Sequence, residues 1–217
     1  MITYNGSIAT GASGAWMVPP STSAVIGGRT YPTADMPDGK TWLACNLDYA
    51  WAGLSVPTSD AYASSSQQAM YYDYDESTYG WDGYKCGLLY NWYAVDYLEQ
   101  NKATLCPGWH VPSDQEWRAL VTAAGGDLTA GAKLKASDVS WASSWGGTDD
   151  YGFAALPAGD FTVSFDHVGS LTHFWTATEH RSDFAYHWYI GRDSEQMYVG
   201  VEWDGRQFSV RLVKDTD

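Results

Sequence analysis

The chain is organised around FWTATEHRSDFAYHWYIGRDSEQMYVGVEWDGRQFSVRLVK, residues Phe174–Lys214. Phe174–Thr178 is aromatic and small, and Phe208–Val213 alternates apolar with polar residues, so both ends predict strands, the second one half-buried. Glu179–Arg206 mixes rings, both charges and glycine with only patches of alternation, and we expect it to be less regular. Rigid rings among small polar residues are typical of recognition surfaces, which makes this segment the candidate binding face. An ordinary solvated set of strands and loops is the alternative.

The composition is that of one acidic, aromatic-rich domain. The chain has 217 residues, of which 16% are aromatic, and 12 Lys and Arg against 26 Asp and Glu give a net charge of −14. A chain of this length can bury a core without disulfide staples. Its acidity gives no electrostatic reason to bind nucleic acid or an anionic membrane, so neither is expected as a partner.

Cysteine usage and the N-terminal residues bear on the compartment. Cys45, Cys86 and Cys106 allow at most one intrachain disulfide, and no CxxC or Cys/His cluster indicates zinc. The opening, MITYNGSIATGASGAWMVPP, lacks the basic and apolar regions of a secretory signal peptide, and no apolar run approaches transmembrane length. We therefore expect neither signal-directed secretion nor membrane insertion.

A change in composition near residue 24 predicts the domain organisation. Residues 1–24 are rich in Gly, Ser, Thr, Ala and Pro, which predicts an N-terminal arm or linker, and residues 25–217 are assigned to one ligand-binding domain. Pro37-Asp38-Gly39 predicts a tight turn and Thr41–Ala44 a short strand. Residues 50–87 are polar and aromatic, and we expect a long, mostly irregular loop held by its own rings.

Two helices are expected in the middle of the chain. The first is Gly87–Gln100, and the residues near helical spacing that should form its apolar face are Leu89, Trp92, Tyr93 and Tyr97. The second begins with a capping box, in which the Ser113 hydroxyl caps the Glu116 amide and the Glu116 carboxylate reaches back. Its buried stripe is Trp117, Leu120, Val121 and Ala124, and Gly125-Gly126 ends it.

Short strands are expected after the second helix. Trp141–Asp150 is a Ser/Gly/Asp loop, and Gly152–Pro157 and Phe161–Phe165 both have the composition of short strands.

A set of phrases, taken in order, resembles one known family. They are DGKTWLACNL (Asp38–Leu47), GLLYNWYAV (Gly87–Val95), LCPGWHVPSD (Leu105–Asp114), GAKLK (Gly131–Lys135), YGFAALPAG (Tyr151–Gly159), FWTATE (Phe174–Glu179) and FSVRLV (Phe208–Val213). From about Val25 to Asp215 the chain resembles the Fibrobacter succinogenes major paralogous domain, which belongs to the C-type-lectin-like folds related to formylglycine-generating enzyme. The resemblance implies an α+β fold with two helices packed on small antiparallel sheets and much irregular loop.

The same resemblance implies a function. The family contains variable proteins of diversity-generating retroelements, in which a reverse transcriptase mutates template adenines and so randomises codons near the 3′ end that shape a ligand-binding face. The C-terminal position of residues 174–213 fits such a variable region. The implied protein is a non-enzymatic viral receptor-binding or tail-tip protein on the virion surface. It would bind a protein or glycan receptor and attach to a larger assembly through its N-terminal arm. The alternative is a secreted or cell-surface adhesin of the same family without diversification.

One departure from the family concerns a disulfide. Many members carry a Cys in the final strand, which we expect to pair with the Cys of the Cys-Pro-x-Gly-Trp-His phrase. Here the first position is Leu212, and the phrase around Cys106 is one residue shorter. The missing staple favours a protein assembled in a reducing cytoplasm.

Catalysis is not expected. Formylglycine-generating enzymes need a copper-binding cysteine pair, and the phrases around the three cysteines do not resemble that site. The five histidines, His110, His167, His173, His180 and His187, show no HExxH or HxH spacing, and no P-loop, GxSxG or GxGxxG context is present. A formylglycine-generating-like oxidase is the remaining enzymatic alternative, and no cofactor is expected.

Calcium is a weaker alternative. Asp73–Ser77 and Asp82 form an acidic cluster, and calcium prefers carboxylate oxygens. However, Thr78 stands where the EF-hand pattern needs glycine, and the phrases of calcium-dependent sugar binding are missing. A solvated acidic loop is the preferred interpretation. Among the Trp and Tyr residues, we assign only those of residues 180–206 to ligand contact.

The genetic code divides the C-terminal segment into positions that a retroelement can and cannot change. Asparagine codons that end in a pyrimidine, with both adenines mutable, cannot become Trp, Met, Lys, Gln or Glu codons. The residues expected to be fixed are Trp175, Glu179, Trp188, Glu195, Gln196, Met197, Glu202, Trp203 and Gln207. The residues assigned to the variable binding face are His180, Arg181, Asp183, Phe184, Tyr186, His187, Tyr189, Gly191, Arg192, Asp193, Tyr198, Gly200, Asp204 and Gly205. Ala185, Ile190 and Val199 lie between polar neighbours and are assigned to the core.

Overall fold

A computed structural model of the chain describes residues 22–54, 86–137, 139, 142 and 144–216, together with the backbone of Tyr71 and Tyr72. Most of the predicted arm, most of the loop predicted over residues 50–87, and the acidic cluster at Asp73–Asp82 lie outside the described residues.

The described residues form a mixed α+β fold, which confirms the predicted fold class at that level. The strands are β1 (Thr22–Ile26), β2 (Arg29–Asp35), β3 (Thr41–Leu43), β4 (Tyr71–Tyr72), β5 (Leu89–Tyr90), β6 (Trp109–His110), β7 (Asp160–Phe161), β8 (Phe165–Asp166), β9 (Leu171–Arg181), β10 (Phe184–Gly191), β11 (Met197–Trp203) and β12 (Val213–Lys214). The helices are α1 (Trp92–Gln100), α2 (Lys102–Leu105), α3 (Asp114–Ala123) and α4 (Ala130–Leu134).

The strands are arranged in small antiparallel sheets. One sheet has the order β1-β2-β3-β12-β6, a second has the order β11-β10-β9, and β4-β5 and β7-β8 form two further pairs. The β1–β2 hairpin turns at Gly27 and Gly28, whose φ angles of 57° and 77° are those that a tight hairpin turn requires at both central residues. The last strand of the chain, β12, lies between β3 and β6, so the C-terminus closes the larger sheet.

The two predicted helices are present, and the second agrees with the sequence prediction in detail. The Ser113 hydroxyl accepts a hydrogen bond from the Glu116 amide at 3.3 Å, and the Glu116 carboxylate accepts one from the Ser113 amide at 2.8 Å. The predicted stripe is buried, with Trp117 and Leu120 fully inaccessible to solvent.

The first helix begins later than predicted, and its predicted face is wrong in part. Leu89 belongs to β5, and Asn91 caps α1 by accepting a hydrogen bond from the Ala94 amide at 3.0 Å. The buried residues of α1 are Trp92, Ala94, Val95 and Leu98, whereas Tyr97 is 46% exposed. The buried face of α1 therefore runs along Trp92, Val95 and Leu98, and Tyr93 and Tyr97 lie outside it.

Three strand predictions are corrected. Phe208–Val213 is not one half-buried strand: only Val213 lies in β12, Phe208 and Ser209 form isolated bridges, and every residue of the segment is buried. Gly152–Pro157 carries only a bridge at Ala155, and Phe161–Phe165 comprises the inner ends of β7 and β8 with a bend between them. Conversely, the segment expected to be less regular, Glu179–Arg206, contains β10 and β11.

Two hydrophobic clusters pack against the two faces of the β9–β11 sheet. One contains Trp175, Ala185 and Phe208 together with Val95 and Leu98 of α1. The other contains Phe174, Trp188, Ile190 and Met197 together with Trp117 and Leu120 of α3. Because adjacent residues of one strand face opposite sides, Phe174 and Trp175 belong to different clusters. The sheet is thus held between α1 and α3, and β11 forms its outer edge.

Candidate ligand-binding surface

The structure places the candidate residues of the C-terminal segment at three depths. Those that are exposed are His180, Arg181, Asp183, Arg192 and Asp193. Those that are half-buried are Phe184, Tyr186, Tyr189, Gly191, Tyr198 and Gly200. Those that are buried are His187, Asp204 and Gly205.

The first group of surface residues lies around the turn between β9 and β10. Asp183 occupies this turn with a φ of 65°. His180 and Tyr186 are joined by a hydrogen bond of 2.8 Å between Nδ1 and Oη, and the Arg181 guanidinium lies 4.6 Å from the centre of the Phe184 ring. Ring and charge are therefore held together at the tip of the hairpin.

The second group lies at the other end of β10. The rings of Tyr189 and Tyr198 stack with centres 5.0 Å apart, and the Ser194 hydroxyl lies 3.1 Å from the Tyr198 hydroxyl. Tyr186 and Tyr189 are three residues apart on one strand, so their side chains point to opposite faces of the sheet. The candidate residues therefore form two patches rather than one continuous face.

His187 was predicted to be a surface contact, but only 6% of it is exposed. Its ring packs against Phe208 with centres 4.8 Å apart, and its Nδ1 lies 3.4 Å from Nδ1 of His173. Burial, with a smaller contribution from Arg206, lowers the pKa of His187 to about 4. Gly200 lies directly over this ring, since a Cβ there would be 2.5 Å from His187 Nε2. Both positions therefore belong to the packing of the sheet.

Two further assignments change. A Cβ at Gly205 would lie 2.0 Å from the Trp203 ring, so any larger residue at this position would clash with that ring. Val199 was assigned to the core but is 39% exposed, as is Val201, because both lie on the outer strand β11.

Asp160 is the buried centre of a polar network that the sequence did not indicate. Its carboxylate is inaccessible to solvent and accepts hydrogen bonds from Arg206 Nη2 at 2.8 Å and from His167 Nδ1 at 2.7 Å. Nε2 of His173 lies 3.6 Å from the same carboxylate. These residues have no motif spacing, so only the folded chain brings them together. The network fixes β7 beneath the end of β11.

A cleft of about 390 Å³ lies between α1 and the β9–β10 turn. Its ring-bearing wall is formed by Trp92, Tyr93 and Tyr97 of α1. Its carboxylates are Asp96, Glu179, Asp183 and Asp204. Trp92, Tyr93 and Tyr97 were predicted to lie on the apolar face of the first helix, and ligand contact was assigned only to rings of residues 180–206. The signal that could have identified them is the helical spacing of Tyr93, Asp96 and Tyr97, which places rings and a carboxylate on one side of a short helix.

Asp204 is the deepest acidic group of this cleft. Only 2% of the residue is exposed, and among the described residues its Oδ1 has no hydrogen-bond partner. Burial raises the pKa of this carboxyl to about 7, with further contributions from Asp183, Glu179 and Asp96. Its backbone is fixed on both sides, since its amide donates to Asp183 O at 3.0 Å and its carbonyl accepts from Trp92 N–H at 2.8 Å.

The described residues lack an obvious metal site and a membrane-spanning helix. Within the described ranges, no group of three or more His, Cys, Asp or Glu side chains is arranged to hold a metal ion. Cys45, Cys86 and Cys106 are free thiols. In the part of the chain that the structure describes, no helix is long and apolar enough to cross a membrane.

Comparison with known proteins assigns the chain to a family. Residues 38–214 match the Fibrobacter succinogenes major domain, and the chain belongs to that family. No curated protein and no solved structure matches the chain.

Proposed function

We propose that this chain is a non-enzymatic receptor-binding protein with a C-type-lectin-like fold, displayed on a virion, whose C-terminal surface is diversified by a retroelement. The observation that carries the proposal is the division of the β9–β11 sheet into a buried frame and a surface layer. The surface layer contains His180, Arg181, Asp183, Phe184, Tyr186, Tyr189, Arg192, Asp193 and Tyr198. Its rings and charges are the residue types that dominate binding interfaces.

The buried frame is held by contacts that do not involve the surface layer. Trp175 donates from Nε1 to Tyr90 O at 2.8 Å, and Trp188 donates from Nε1 to Asp114 Oδ1 at 3.0 Å. Both tryptophans, with Met197, are at most 4% exposed and belong to the set that mutated asparagine codons cannot produce. Exposed substitutions usually change stability little, so the surface layer can vary while this frame stays constant.

The C-type-lectin-like part of the proposal is supported by the family and by the architecture. The resemblance implies helices packed on small antiparallel sheets, and the described residues have few helices and several such sheets. The two longer helices enclose the candidate sheet and leave its hairpin tip open to a receptor.

The cysteines support a binding role over an oxidase. Burial raises the pKa of the Cys45 thiol to about 11 and that of Cys106 to about 12, and it raises the pKa of Cys86 further. Metal binding and nucleophilic attack both require the thiolate, so these thiols are poorly suited to either.

Sequencing the gene and its flanking DNA from sibling isolates tests the proposal. Substitutions should concentrate at the surface-layer positions and spare Trp175, Trp188 and Met197, and a reverse-transcriptase gene with a template repeat should lie nearby. Substitutions spread evenly over residues 25–217, or frequent at Trp188, would contradict diversification. An invariant surface layer would instead favour the adhesin without diversification.

A further inference from the structure

We propose that the cleft between α1 and the β9–β10 turn binds a cationic side chain, arginine or lysine, presented by a protein receptor. The proposal deepens the proposed function and rests on it for the existence of a receptor. The affinity of the cleft for a cation is a property of this chain and can be measured independently.

The charges of the cleft all have one sign. Asp96, Glu179 and Asp183 surround Asp204, and no described basic side chain is among the residues that line the cleft. Gln100 Nε2 donates to Asp96 Oδ2 at 2.7 Å, and Tyr93 Oη lies 3.5 Å from Asp183 Oδ1. The groups of the cleft that contact these two carboxylates are therefore neutral. Carboxylates held together without a counter-charge repel one another, and a cation placed among them removes that repulsion.

Asp204 is the most deeply buried acidic residue of the cleft, and its Oδ1 is an acceptor that no described residue satisfies. A buried carboxyl oxygen without a donor is costly unless something else supplies the hydrogen bond. The residue cannot withdraw from this position, because its backbone is bonded to Asp183 and to Trp92. A guanidinium or ammonium group that enters the cleft would donate to Oδ1 and favour the ionised carboxyl.

The rings of α1 select an organic cation. Tyr93 and Tyr97 present aromatic surface beside the carboxylates, and Tyr97 is 46% exposed. Cations bind the faces of aromatic rings, and guanidinium groups both stack on rings and donate to carboxylates. Hard metal ions instead need several converging oxygen ligands, and no such group is found among the described residues. A volume of about 390 Å³ is ample for one such side chain.

The test uses the full chain and blocked amino acids as probes. Nα-acetyl-arginine amide and Nα-acetyl-lysine amide should bind saturably, with a dissociation constant of about 1 mM or tighter for at least one of them. Nα-acetyl-citrulline amide has the shape of the arginine probe without its charge and should not bind. Amide resonances of Tyr93, Asp96 and Asp183 should shift in two-dimensional NMR spectra during the titration.

Variants identify the site. Asp204→Asn and Asp96→Asn should each weaken the better probe about tenfold or more, the scale of a hydrogen bond between charged groups. Tyr97→Ala, at a half-exposed ring, keeps the test usable if Asp204→Asn does not fold. Asp150→Asn is the matched control, because Asp150 is exposed and lies outside the cleft. It removes one carboxylate from the surface, as Asp96→Asn removes one from the cleft, and should leave affinity unchanged.

Three results would overturn the proposal. They are binding of citrulline as tight as that of arginine, equal weakening by Asp150→Asn and Asp204→Asn, and absence of binding by either cationic probe.

Agmatine distinguishes a side chain from a free metabolite. If it binds about tenfold tighter than both blocked probes, the cleft is a small-molecule site and the receptor part is wrong. None of these results bears on sequence variation among isolates, so the diversification proposal stands or fails separately.

Discussion

His173 and His187 are two histidines that the fold keeps uncharged. Burial lowers the pKa of both, and for His187 it falls to about 4. An unfolded chain protonates histidine near pH 6.5. The unfolded state therefore binds more protons than the folded state between about pH 6.5 and 4, so the free energy of unfolding falls as the pH is lowered through that range.

The first prediction concerns His187→Gln, which removes one of these titrating groups. Wild-type stability should fall by about 3 kcal/mol more than that of the variant between pH 7 and pH 4, from urea unfolding at each pH. Asp204 has a raised pKa and contributes the opposite slope, but it is present in both proteins and cancels in the difference. Parallel pH profiles for the two proteins would show that His187 is not buried uncharged.

Arg211 is a residue whose chemistry cannot be replaced by another cation. It is fully buried and donates to Asn46 Oδ1 at 2.7 Å and to the carbonyls of Leu43, Phe153 and Ala154. Its guanidinium also lies 4.3 Å from the centre of the Phe153 ring. This one side chain joins β3, the segment that follows β3 and the 152–157 segment.

The second prediction is that Arg211→Lys lowers the free energy of unfolding by about 3 kcal/mol or more. Lysine cannot reproduce the planar set of donors, and each buried acceptor left without a donor costs about 1–3 kcal/mol. Chemical denaturation measures the loss. Lys214→Arg, the reverse exchange at an exposed residue nearby, should change stability by less than about 0.5 kcal/mol. Similar effects of the two exchanges would contradict the role assigned to Arg211.

At the scale of elements, α3 is a helix whose position and buried face can be predicted from neighbouring residues alone. Its N-cap, its capping partner and its buried stripe all lie within Ser113–Ala124, so the sequence predicted both its position and its face. The start of α1 was misjudged, because Asn91 is a less obvious cap than a Ser-x-x-Glu box.

The regularity of β10 and β11 could not be read from their sequence. Both faces of the sheet are partly covered, which removes simple alternation, and the β9–β10 pairing changes register between Ala185 and His187. The genetic code indicates which residue types mutated asparagine codons can produce, but it carries no information on burial. For this reason His187, which is buried, was assigned to the binding face. The cleft was missed because its carboxylates come from α1, the hairpin and the residue after β11.

The third prediction tests the capping box. Ser113→Ala should lower the free energy of unfolding by about 1 kcal/mol, because the Glu116 amide loses its acceptor at the N-terminus of α3. Ser113→Thr keeps the hydroxyl and should restore most of the loss. Since Asp114, the next residue, accepts from Trp188 Nε1, thermal unfolding of both variants also reports how tightly α3 holds the sheet. Equal melting temperatures for Ser113→Ala and wild type would exclude a stabilising cap.

At the scale of the whole molecule, the predicted arm overlaps the first described strand. β1 begins at Thr22, whose hydroxyl lies 2.6 Å from that of Thr33, and Ala24 is 5% exposed. The boundary predicted at residue 25 therefore falls within a paired strand.

The fourth prediction compares two truncated chains. A chain that starts at Thr22 should melt within about 2 °C of the full chain. A chain that starts at Val25 should melt several degrees lower, because it loses the pairing of Thr22–Ala24 with β2, and 1 kcal/mol corresponds to roughly 2–4 °C at this size. Calorimetry at equal concentrations measures both. A large loss in the longer chain would show that residues 1–21 stabilise the domain.

The position of β12 between β3 and β6 has a consequence for synthesis on the ribosome. The backbone amides of Leu43 and Leu47 donate hydrogen bonds to the carbonyls of Leu212 and Val210, respectively. Residues near the start of the domain therefore complete their hydrogen bonds only when its last residues are available. Contacts so distant in sequence form late, after nearly the whole chain has emerged. A chain that ends before Arg211 would lack both this side chain and β12. It would then remain open and become a substrate for proteases. We therefore expect folding to depend on a complete C-terminus, so that only the full-length chain accumulates.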